Sequence, residues 1–132
     1  MTAEELIKIL CLQKHPEGGY FREVYRSDEI IDKNALSERF NGSRNISTSI
    51  YFLLKSGDKS DFHRIKSDEI WHFYSGSSLT IYIINKEGNL NKVKLGCDPS
   101  NDELFQYTVP KECWFAAEVN EQDSYALVGW HC

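Results

Sequence analysis

The amino-acid sequence predicts an all-β domain, a sandwich or barrel of short antiparallel strands preceded by one helix. Three observations carry this. Apolar and polar residues alternate in eight or nine short runs along the chain. Turn signals separate these runs at intervals of about 8–12 residues, the spacing of sandwiches and barrels. No helical stretch falls between the runs, which argues against a parallel α/β sheet. At 132 residues the chain reads as one domain over 1–132. A domain of this size buries about two-thirds of its unfolded surface and needs no metal or disulfide staple.

The helix is expected over Thr2–Gln13. Thr2 and Glu5 have the spacing of a capping box. Leu6, Ile9, Leu10 and Gln13 fall on one side, flanked by Ile7 and Cys11, and Pro16 with Gly18-Gly19 ends the segment. Tyr20–Arg26 is the first strand, rich in aromatic residues. Ser27–Asn45 is polar and reads as a long loop. Strands follow at Ile46–Leu54, Asp61–Ile65, Glu69–Tyr74, Leu79–Ile84, Leu90–Leu95, Leu104–Val109, Trp114–Glu118 and Tyr125–Trp130. Asn85–Asn89, with Glu87-Gly88, is a hairpin signal.

Composition excludes several classes of function. Seven Phe, seven Tyr and three Trp supply enough bulky apolar surface to oppose disorder. No apolar run reaches the length of a membrane span, and the acidic start Met1–Glu5 is no signal peptide. A net charge of −5 without a cluster of Lys and Arg argues against nucleic acid. Cys11, Cys97, Cys113 and Cys132 have neither paired nor zinc-site spacing, so reduced thiols in a cytoplasmic protein are expected.

The stretch Ser60–Gly76 carries the chemistry. His63 and Glu69, with five residues between them, can meet across a strand–turn–strand, to coordinate a metal or act as an acid/base pair. With Gly76, they match the first motif of the cupin superfamily, and Val109–Phe115 resembles the second. Further blocks are similar to cupin family five: His15–Glu23, Tyr25–Ser27, Ile50–Leu54, Phe62-His63-Arg64, Asp68–Tyr74 and Leu127–Trp130. The resemblance covers nearly the whole chain. It implies a jelly-roll barrel, the double-stranded β-helix of cupins, commonly a homodimer, and it implies no single activity.

The chain departs from the metal-binding cupins. These take ligands from two His and one Glu of the first motif and one His of the second. Here Ile65 and Phe115 occupy the places of the second and last His. His63 and Glu69 remain, and catalytic zinc usually takes three protein ligands. His72 points to the opposite face of a regular strand from Glu69. No firm cofactor is therefore expected, and a divalent metal is the lesser reading. Glu112 stands where the second motif usually has Gly, so a different turn backbone is expected there. Relatives usually continue past the Leu-Val-Gly strand with a segment containing Pro-Gly-Phe. Part of the barrel edge is accordingly expected to be absent or covered by another subunit.

The expected catalytic residues are His63, as general base, and Glu69, orienting it or serving as acid. The expected ligand-binding residues are Tyr20, Arg22, Arg26, Tyr51, Trp71 and Phe73. Trp71 and Phe73 share the face of Glu69 by period two. Arg22 and Arg26 share a face with Tyr20 and Val24. That face is either an inward anion pocket or a solvated edge. Tyr51 and Phe52 face opposite ways, so one of them reaches the interior, and His15 reads as a turn residue. The leading function is isomerase- or epimerase-type proton transfer on a small molecule that is anionic or resembles a sugar or nucleotide. The alternatives are a non-catalytic binding module and an oxygenase-like metal-dependent cupin.

Overall fold

In the computed structural model, which describes residues 1–45 and 47–132, the helix α1 runs over Ala3–Ile9. It starts as the capping box requires, with Thr2 Oγ1 accepting from the Glu5 backbone N–H at 3.1 Å. It ends earlier than its apolar spacing suggests. Cys11 turns left-handed at φ 56°, and Gln13–Lys14 leaves the helix to pair with a strand as β1. Ala3 and Leu6 are buried, while Ile9 is 60% exposed, so the buried face is narrower than predicted.

Among the described residues twelve more strands follow: β2 Tyr20–Arg26, β3 Ile30–Ile31, β4 Arg44–Asn45, β5 Thr48–Lys55, β6 His63–Arg64, β7 Glu69–Gly76, β8 Leu79–Ile84, β9 Leu90–Leu95, β10 Glu103–Leu104, β11 Gln106–Val109, β12 Trp114–Val119 and β13 Tyr125–His131. The predicted start of β5 at Ile46 lies outside the described residues. One sheet has the order β1-β2-β5-β13-β7-β11 and the facing sheet the order β10-β9-β8-β12-β6. The fold is thus all-β with one N-terminal helix, as predicted. The predicted Leu104–Val109 strand is divided. β10 pairs with β9, β11 pairs with β7, and Phe105 crosses between the sheets. The Ser27–Asn45 loop also holds the small β3–β4 ladder and buries Phe40 beneath the guanidinium groups of Arg39 and Arg44.

Alternation along the strands makes two apolar layers. Phe52, Leu54, Trp71, Val109, Ala126 and Val128 point inward from the large sheet. They meet Leu79, Ile81, Ile83, Leu95, Phe115 and Ala117 of the facing sheet. On the other face of the large sheet, Leu53 and Leu127 pack under Ala3, Leu6 and Leu12. Fully burying a side chain of this size contributes about 1.5–3 kcal/mol. The helix is therefore a lid on the outer sheet face and leaves the interior between the sheets to the strands. Among the described residues, no helix is long and apolar enough to cross a membrane, and all four cysteines are free.

The Glu112 turn differs from expectation. Pro110–Cys113 is closed by the Cys113 N–H donating to the Pro110 carbonyl, and Glu112 at its third position has φ 68°. The chain thus keeps the left-handed backbone that a glycine would provide. Asp68 Oδ1 accepts from the Lys111 N–H at 2.8 Å, and the Glu112 N–H donates to the Ile65 carbonyl at 2.9 Å. These bonds hold the strained residue in place. A non-glycine residue there costs about 1–2 kcal/mol, and the partly exposed Arg64–Glu112 contact at 3.7 Å offsets little of it. Glu112→Gly should raise stability by about 0.5–1 kcal/mol in chemical denaturation, with the slope unchanged. A loss of stability would show that the side chain matters more than the backbone strain.

Candidate functional site

A cavity of about 270 Å³ opens at one end of the barrel. Four elements build it. β5 supplies Ile50 and Phe52, β7 supplies Glu69 and Trp71, β13 supplies Trp130, and β6 supplies His63. The turn between β1 and β2 closes the mouth with His15, Glu17 and Gly18. That turn depends on Gly18 and Gly19, at φ 107° and 78°. A Cβ on Gly19 would come within 2.7 Å of the Phe52 ring, so only glycine lets the turn lie against the wall. The walls are aromatic: the Trp130 ring centroid is 4.6 Å from that of Phe52 and 5.0 Å from that of Trp71.

Glu69 sits in this apolar surround, 5% exposed. Its Oε1 accepts from the Trp71 indole N–H at 2.8 Å. The Cys132 thiol donates to its Oε2 over 4.0 Å. Burial pushes the carboxyl up to about 7, only partly opposed by the indole hydrogen bond. Burial, with Glu69 beside it, raises the Cys132 thiol to about 11, so this thiol stays protonated near neutrality.

The two histidines at the mouth hold opposite tautomers. His63 Nδ1 lies 2.9 Å from the Asp61 carbonyl and 3.3 Å from Glu17 Oε2. Both partners accept, so Nδ1 carries the proton and Nε2 is the basic nitrogen of the neutral ring. His15 Nδ1 instead accepts from the Glu17 N–H at 3.0 Å, which leaves its Nε2–H as a donor. Burial lowers the His15 pKa, the Glu17 carboxylate opposes this, and His63 adds to the lowering.

The structure brings three of the predicted residues, His63, Glu69 and Trp71, into the cavity. The carboxylate on the His63 ring is Glu17, however, and not Glu69. Phe73 faces inward but packs against the core beyond the cavity. Of the opposed pair, Phe52 lines the cavity. Tyr51 packs on the outer face, 6.1 Å from the Tyr74 ring. Tyr20 also lies on the outer face, beneath Lys55 Nζ.

The predicted pairing of Arg22 with Arg26 on one face fails. A bulge between Glu23 and Tyr25 shifts the register of β2, so the two arginines point to opposite faces. Arg22 is exposed and donates to the Leu10 carbonyl at the end of α1. Arg26 holds Glu23 at 2.7 Å and Asn45 at 2.6 Å, beside a separate depression that Arg44 and Ser67 also line.

Sequence reasoning missed His15, Glu17 and Trp130. The first two belong to the His15–Glu23 block that carried the family likeness. Trp130 sits opposite Trp71 in the β13–β7 ladder, and period two along β13 places it on the inner face with Val128. His72, predicted to face away from Glu69, does so and stacks on His131 with ring centroids 5.0 Å apart.

The donor set does not fit a cupin metal. Among the described residues, no three His, Cys, Asp or Glu side chains are grouped to hold an ion. Ile65 lines the cavity and the Phe115 ring packs 4.3 Å from His63, where further imidazoles would be needed.

The Cupin_5 family, described as Cupin superfamily (DUF985), matches residues 4–132. The chain is 31% identical over 115 residues to the Uncharacterized protein YML079W of Saccharomyces cerevisiae. The match spans 83% of this chain and 57% of that relative's length. Protein SO0799 from Shewanella oneidensis superposes with TM-score 0.87 at 43% identity, over 99% of this chain and 77% of that one. A hypothetical protein from Leishmania major superposes with TM-score 0.89 at 36% identity, over 99% and 80%. Oxalate decarboxylase of Bacillus subtilis shares the fold, with TM-score 0.58 at 19% identity over 89% of this chain and 26% of that one.

The buried carboxyl makes stability depend on pH. Its pKa rises from 4.5 to about 7 on folding, so the native state binds the proton more tightly than the unfolded chain does. Its contribution is greatest below about pH 4.5 and is lost as pH rises through about 7. Glu69→Gln should remove this dependence and gain up to about 3 kcal/mol on the wild type between those limits. Urea melts of both proteins across that range test this. A constant gap would mean that Glu69 does not titrate with folding.

Proposed function

The chain belongs to the Cupin_5 family of the cupin superfamily, and from that premise we propose that its barrel cavity performs isomerase-type proton transfer on a small molecule. The arrangement of Glu69 and His63 in one cavity carries the reading. His63 Nε2 is the base. It removes a proton from carbon next to a carbonyl, and the C–H electron pair moves into the new double bond. Glu69 gives its proton to the carbonyl oxygen, which forms the enol. Where that carbon carries a hydroxyl, the hydroxyl gives its proton back to Glu69 and His63 protonates the former carbonyl carbon, which completes an isomerisation with both groups restored. Glu17 fixes the His63 tautomer as the orienting carboxylate. The walls of Phe52, Trp71 and Trp130 hold the reactant and exclude water.

Exchange of carbon-bound hydrogen in deuterated water reads this activity without knowledge of the product. Small aldoses, ketoses and cyclic ketones are incubated with the protein and followed by NMR. Exchange is expected for at least one of them, falling about 10²–10⁴-fold in both His63→Gln and Glu69→Gln. The rate should also fall as pH rises through about 7, because Glu69 must be protonated to act as the acid. Binding without exchange, or exchange unchanged in both variants, would overturn the catalytic reading. The first of these outcomes would favour a binding module.

A further inference from the structure

The cavity has a definite polarity, and its hydrogen-bonding groups are sorted by type. Among the described residues, no Lys or Arg lines it. Its two carboxyls are already engaged. Glu17 is committed to His63 through its side chain and to His15 through its backbone. Glu69 Oε1 is occupied by the Trp71 indole N–H, so the acid proton resides on Oε2, which the Cys132 thiol meets at 4.0 Å. Glu69 Oε2–H and His15 Nε2–H are donors on this lining, with the Ser60 hydroxyl and the Trp130 indole N–H beside them, and Nε2 of the neutral His63 ring is an acceptor. Flat aromatic surfaces stand beside them.

We infer that the cavity selects an uncharged, planar, carbonyl-bearing ring, and that it rejects anions. This rests on the reading that the barrel cavity is a small-molecule site, and it names the substrate class. The carbonyl oxygen takes the donors, and the adjacent C–H or N–H faces His63. The ring lies against Phe52, Trp71 and Trp130. A carboxylate or phosphate would be buried without a cation and against a carboxyl group. A cation would need Glu69 ionised, which its surroundings oppose. The titratable groups around Glu69 are the Cys132 thiol, just past the end of β13, and, on the same cavity lining, His63 from β6 and His15 with Glu17 from the mouth turn. The Arg44 charge opposes part of the rise at the Cys132 thiol.

Three probes of one shape separate the possibilities: nicotinamide (neutral), nicotinate (anionic) and 1-methylnicotinamide (cationic). Each is titrated at millimolar concentration while the three Trp indole N–H signals are followed by NMR. Nicotinamide should bind at least about tenfold more tightly than either ion below pH 7. Its affinity should fall as pH rises through about 7, as Glu69 loses the donating proton. Glu69→Gln keeps a donor amide there, so it should retain nicotinamide binding and lose this pH dependence. Tighter binding of nicotinate or 1-methylnicotinamide would overturn the charge assignment and leave the cavity reading intact. Silence of all indole signals with all three probes would overturn both.

Discussion

The hydrogen bond from the Trp71 indole to Glu69 keeps a carboxyl group inside an otherwise apolar barrel. Without a partner that group would cost several kcal/mol to bury. Because the two residues are two apart on β7, one strand supplies both the acid and the donor that holds it. The indole fixes one carboxyl oxygen and stands as a wall of the cavity at the same time. The position of β7 between β13 and β11 then fixes where the acid lies relative to Trp130 and the mouth.

The remainder of the molecule isolates this pair. The helix covers the outer side of the large sheet over Leu53 and Leu127, which lets the inner side specialise. Beyond the cavity the interior is packed with Leu, Ile, Val and Phe side chains, and the polar groups His63 and Glu69 lie where the cavity opens. The glycine turn carries His15 and Glu17 to that open end. Core and site are therefore two ends of one interior.

The period-two pattern of β7 made Glu69, Trp71 and Phe73 legible as one face, and the long strands could be read with small errors of boundary, while the two-residue strands β1, β3 and β4 and the division of Leu104–Val109 could not. What could not be read depended on backbone exceptions. Arg22 and Arg26 share a face on an ideal strand, and one bulged residue separates them. His15 and Glu17 enter the site only because Gly18 and Gly19 adopt positive φ, and where such a turn points is a tertiary matter. Glu112 keeps a glycine-like backbone without being glycine, because Asp68 and Ile65 hold the turn from outside. Local preference yields wherever distant hydrogen bonds determine the conformation.

The place of β13 in the large sheet has a consequence for the order of assembly. It lies between β5 and β7, pairing Ser49 with His131 and Ile70 with His131. Until residues 125–131 enter, β2 with β5 and β7 with β11 are separate fragments with unpaired inner edges. The connection between them is non-local, so loop-closure entropy opposes it before any contact is gained. Trp130 arrives on that same strand. Barrel closure and completion of the aromatic wall therefore depend on the same strand, and a chain lacking this segment would leave the inner edges of β5 and β7 unpaired.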